Sequence, residues 1–119
     1  MITNRNNPVS YWAIPSIRKD RLNPRQREAM AKEIIVKVCI YYNISNEDIK
    51  GRDRHRCIVL ARHMAMYIIR NRLKLKLKAT AQLFNRDHTT AMHALKSISD
   101  QIETDELIAN DLDNLINIL

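Results

Sequence analysis

At 119 residues the chain is the size of one domain with one core. Lys and Arg number 20 against 13 Asp and Glu, and the net charge of +7 favours polyanionic partners such as nucleic acid. The single glycine, Gly51, excludes a Walker-type loop and a dinucleotide-binding loop, since both need several glycines for close backbone approach to phosphate.

Residues 1–22 carry Asn and Arg and then Tyr11-Trp12-Ala13-Ile14-Pro15, with no helical period, and read as an extended arm ahead of a domain over residues 23–119. The Asn-rich start leads into no apolar run, so no secretory leader is expected. Cys39 and Cys57 accordingly read as reduced thiols of a cytoplasmic protein. No stretch approaches the ~20 apolar residues that span a bilayer.

Asn23-Pro24-Arg25-Gln26 predicts a helix start: Asn caps, Pro takes the first helical position, and Gln bonds back. The helix should run to about Tyr42, with Met30, Ile34, Val38 and Tyr41 on its inner face. Ser45 should cap a short second helix, which ends at a basic segment, Lys50 to Arg56, that holds no apolar residue and must be exposed. A third helix is expected from Cys57 to about Arg72. Ile58, Ala61, Ala65, Ile68 and Ile69 would face inward, and Arg62, His63 and Arg70 would lie on the surface.

Leu73-Lys74-Leu75-Lys76-Leu77-Lys78 alternates as a strand does, but a lone strand has no partner here. The segment is read instead as a turn passing into a fourth helix near Lys76. Asn85 should close that helix in the left-handed conformation. A fifth helix should follow from about Asp87 to Glu103, apolar at Ala91, Ala94, Leu95, Ile98 and Ile102. A last helix should start near Asp105 with Leu107, Ile108, Leu112, Leu115 and Ile116 as its stripe. The class expected is all-α, a helical bundle containing a helix-turn-helix at residues 77–103.

Charge is segregated along this frame. From Lys50 to Lys96 only Asp53 and Asp87 oppose 12 Lys and Arg, whereas from Ser97 to Leu119 six carboxylates stand with no Lys or Arg. A phosphate-binding face and a non-contacting back would look like this, and so would a solvated charge run. Asp87-His88-Thr89-Thr90 at the start of the fifth helix weighs for the first. Helix-turn-helix proteins place these positions against base edges. Thr presents a hydroxyl and a methyl, Asp accepts from cytosine, and imidazole donates or accepts. The plainer reading, in which Asp87 is an N-cap and the rest fill a first turn, is compatible with it.

Arg86-Asp87-His88-Thr89-Thr90-x-x-His93-Ala94 resembles the signature of the C-terminal DNA-binding domain of DnaA, the bacterial chromosomal replication initiator. Ile44-Ser45-x-Glu47-Asp48-Ile49, the basic loop at residues 50–56 and Ala61-Arg62-His63-Met64-Ala65-Met66 fall in the family's order, so that the resemblance covers about residues 34–119. It implies a bundle resembling Trp repressor that reads a short asymmetric box as a monomer on double-stranded DNA. The recognition helix would enter the major groove, and a loop arginine the adjacent minor groove. By position, Asp87, His88 and Thr89 would read bases, with Thr90 beside them, and Arg54 would be the minor-groove arginine. Arg62 would make a backbone or base contact and Arg70 would lie near phosphate. Arg52, Arg56, His63, Lys76, Lys78 and Arg86 would support the backbone contacts.

The chain departs from the family pattern in three places. Asn85 stands where Gly-Gly is usual before Arg86, implying a shorter turn; His63 replaces Gln after Arg62; and Asp53 interrupts the basic loop. With no nucleotide loop, the chain reads as a free-standing DNA-binding domain that regulates or competes at initiator boxes, cytoplasmic and nucleoid-associated. A second reading is an interaction module whose N-terminal arm engages a replication or host protein. A third is a dimeric transcription regulator, for which no dimer seam is visible. RNA is disfavoured because the basic block lacks stacking aromatics. No metal, cofactor or catalytic set is expected: His88 and His93 are five apart, and Cys57 with His55 and His63 has no zinc spacing.

Overall fold

The computed structural model describes residues 23–52 and 54–119; the arm at residues 1–22, with its Tyr11-Trp12-Ala13-Ile14 segment, and Asp53 lie outside the described residues. Those described form six helices and no strand.

Helix α1 (Pro24–Tyr42) opens with the expected capping box. The Gln26 N–H donates to Asn23 Oδ1 at 2.8 Å and the Asn23 N–H donates to Gln26 Oε1 at 3.0 Å. It closes at Asn43, whose φ of 58° lets the Ile44 N–H reach back to the Cys39 carbonyl at 3.0 Å. Its buried face is Ala31, Ile34, Ile35, Val38 and Cys39, while Met30 and Tyr41 pack at its edge. Helix α2 (Asn46–Lys50) is capped by the Ser45 hydroxyl, which accepts from the Asp48 N–H.

Helix α3 (Arg56–Leu73) is the axis of the bundle. From Met64 to Ile69 six consecutive residues are buried, so no side of this stretch faces water. A helix walled in all round must give up amphipathic patterning, and α3 packs against α1, α2 and two later helices, α4 (Leu77–Leu83) and α5 (His88–Thr104). The Leu-Lys alternation is a turn, as expected. Lys74 takes a left-handed conformation and Lys76 an extended one, so Leu73, Leu75 and Leu77 turn inward between exposed lysines.

The connection from α4 to α5 is a closed Schellman turn. The Arg86 N–H donates to the Ala81 carbonyl at 3.0 Å, the Asn85 N–H donates to the Gln82 carbonyl at 3.1 Å, and Asn85 sits at φ 56°. Phe84, fully buried, anchors the turn to the core. Helix α6 (Glu106–Ile118) buries Ala109, Leu112 and Leu115 and is tied to α1 by one carboxylate. Asp111 accepts from the Tyr41 hydroxyl at 2.9 Å and the Tyr42 hydroxyl at 3.0 Å. Leu107 is not part of the inner stripe: it is 74% exposed, because 100° of helix rotation separates it from Ile108.

Candidate nucleic-acid interface

The start of α5 is presented to solvent by its own packing. Ala91, Ala94, Ile98 and Ile102 are buried, which fixes the rotation of the helix, while His88, Thr89 and Thr90, in its first turn, are exposed. Asp87 is exposed and caps the helix, its Oδ1 accepting from the Thr90 N–H at 2.8 Å. That hydrogen bond, helped by His88, holds its carboxyl below the usual range, so the group is anionic at neutral pH. Met92, His93 and Lys96 continue the same exposed face, one turn and two turns further along. Steps of three and four from His88 and Thr89 reach all three, so the exposed face extends past the base-reading positions expected at residues 87–90.

The basic loop follows α2. Arg52, Arg54, His55 and Arg56 are exposed. Gly51, at its root, is needed for close approach rather than for a special dihedral. A Cβ there would stand 3.0 Å from the Glu47 carbonyl oxygen. One cleft is lined by Arg52, Arg54, Val59 and Arg62 from the loop and α3 and by Asn85, Arg86, Asp87 and Thr90 from the turn and α5. The fold thus brings together two segments more than 30 residues apart, the loop and the start of α5.

Three of the predicted contact cations, Arg62, Arg70 and Arg86, are engaged by backbone carbonyls. Arg62 is only 5% exposed. Its Nε donates to the Ile49 carbonyl at 2.7 Å, and its terminal nitrogen reaches the carbonyls of Asp48 at 3.3 Å and Gly51 at 3.2 Å. These carbonyls lie at the end of α2, where the helix no longer supplies a full set of donors; the Asp48 carbonyl also accepts from the Gly51 N–H at 3.2 Å. Arg70, half-buried, donates to the Leu75 carbonyl and braces the turn before α4. Arg86, also half-buried, donates to the Gly51 carbonyl and to the carbonyl of Phe84 at 3.1 Å. His63 is half-buried, and burial together with Arg62 and Arg86 pushes its pKa down. Lys76 and Lys78 are exposed at the start of α4.

Among the described residues no cluster of His, Cys, Asp and Glu could hold a metal, and no helix is long and apolar enough to cross a membrane. The architecture defined by α4, its closed turn and the exposed first turn of α5 is a helix-turn-helix with a basic loop set beside it.

Residues 31–98 match the family model for the bacterial DnaA protein helix-turn-helix, and the chain belongs to that family. The family is a helix-turn-helix one, not a catalytic one. The chain is 39% identical over 97 residues to the chromosomal replication initiator protein DnaA of Caldanaerobacter subterraneus subsp. tengcongensis, a match covering 82% of this chain and 22% of that protein. It is 40% identical over 92 residues to the DnaA of Oenococcus oeni, covering 76% of this chain and 20% of the relative. With the DnaA of Herpetosiphon aurantiacus it shares 35% identity over 110 residues, covering 91% and 23%. The chain therefore spans about a fifth of the length of these curated relatives.

Proposed function

We propose that the chain binds double-stranded DNA in a sequence-specific manner at replication-initiator-type boxes, where it regulates or competes with initiation. The first turn of α5 enters the major groove, with Asp87, His88, Thr89 and Thr90 toward base edges, and Arg54 enters the adjacent minor groove. The observation that carries this reading is the shared cleft, in which Arg52 and Arg54 face Asp87 and Thr90.

Arg52, Arg56, Lys76 and Lys78, all exposed, supply phosphate contacts around these two points. With about five phosphates engaged, log affinity falls against log salt with a slope of roughly −4 to −5. Arg62 and Arg70 act by holding backbone, since their guanidinium groups are spent on carbonyls. Hydroxyl-radical footprinting on a duplex carrying one initiator box tests the reading. Protection confined to the box and the minor groove beside it is expected, and uniform protection of all sequences would overturn it.

A further inference from the structure

Resting on the DNA-binding reading, we propose that Arg86 is a positioning residue for specificity: through the Gly51 carbonyl it locks the minor-groove loop to the recognition helix. Two guanidinium groups converge on that one oxygen. Arg62 arrives from α3, at 3.2 Å, and Arg86 from the turn that launches α5. Arg62 ties the oxygen to the end of α2 through its further bonds to Ile49 and Asp48. Arg86 ties it to the turn through its bonds to Phe84 and Asn85.

Gly51 is the residue at the root of the loop that carries Arg54, and its carbonyl is where the guanidinium of Arg86, from the turn, meets the end of α2. That carbonyl joins the root of the loop carrying Arg54 to the turn that precedes Thr90, and Arg54 and Thr90 line one cleft. A planar fork with several fixed donors can address three carbonyls at once, which a lysine ammonium on a flexible stem does not. Preorganisation of this kind lets a minor-groove arginine contribute to discrimination without first ordering its loop.

The test measures affinity for three duplexes: an initiator box, the box altered at its major-groove positions, and the box altered at its minor-groove positions. Wild type, Arg54→Ala, Arg86→Ala, Arg86→Lys and Gly51→Ala are compared, with thermal unfolding recorded for each. The wild type should discriminate against each altered box by about 5- to 150-fold. Arg86→Ala should bring minor-groove discrimination to within about twofold of Arg54→Ala while keeping the major-groove ratio. Adding Arg54→Ala to it should cost little more. Arg86→Lys should fail to rescue. Gly51→Ala, which presses on the Glu47 carbonyl without touching either arginine, should shift the same ratio.

Rescue by lysine, with equal loss on all duplexes and a salt slope lower by about one, would make Arg86 a phosphate contact and overturn the proposal. Loss of both ratios together with a lowered unfolding temperature in both Arg86→Ala and Gly51→Ala would overturn it as well. A wild type that discriminates at neither half would overturn the DNA-binding reading and this inference together.

Discussion

The Arg62 Nε donates to the Ile49 carbonyl across 2.7 Å from a side chain that is almost wholly buried. A charged group placed there belongs to the architecture of the loop root. Arg62→Ala would remove the charged donor of the Ile49 carbonyl and one of the donors at the Asp48 and Gly51 carbonyls, and charged hydrogen bonds of this sort are each worth about 1.5–3 kcal/mol. The variant should lose roughly 2–4 kcal/mol of stability in urea denaturation. Arg56→Ala, exposed at the start of α3, should stay within about 0.5 kcal/mol of wild type in the same measurement.

Asn85 holds φ at 56°, a conformation that costs most residues about 1–2 kcal/mol and Gly almost nothing. Asn85→Val should therefore lower stability by at least about 1 kcal/mol, while Asn85→Gly should match or slightly exceed wild type. Chemical denaturation of the two variants, which share the same turn bonds, isolates the dihedral from other effects.

His63 makes stability depend on pH. Burial, then Arg62 and Arg86, depress its folded-state pKa below the ordinary 6.5. Below pH 6.5 the unfolded chain takes up the proton that the folded chain resists, so the unfolded state gains and stability falls. The loss should begin near pH 6.5 and level off once pH passes below the folded value. His63→Gln should remove this part of the slope in denaturation curves taken from pH 7.5 to pH 5.

His88 and Thr89 lie exposed on the first turn of α5 and make the base-reading assignment directly testable. Either alanine substitution should cost ~1–3 kcal/mol at an initiator box and little on random duplex. Titrations on the two DNAs check this; equal losses on both would move specificity away from α5.

Much of the frame was legible because it depends on local chemistry. The caps at Asn23, Ser45 and Asp87 hold, and so does the left-handed Asn85. Short polar side chains at helix starts, and Asn at a helix end, act within a few residues of themselves, so the chain displays them in one dimension. Arg62 was misread as a surface residue because charge alone suggests exposure. Its burial depends on three carbonyls delivered by α2 and by Gly51 just past its end, which no periodicity in α3 records. Leu107 was misread for the opposite reason: an apolar residue at the first turn of α6 joined the stripe by type, although its angle points it to solvent. The candidate site was half legible. The exposed turn of α5 announces itself in Asp87-His88-Thr89-Thr90, whereas its coupling to the basic loop runs through a backbone oxygen of Gly51.

The most direct measurement is binding-site selection from random duplex DNA by the intact chain. Enrichment of the initiator box, lost when Thr89 and Arg54 are both replaced by alanine, is the expected result. Salt-sensitive binding with no enriched sequence would contradict it, leaving the basic face as a general polyanion surface.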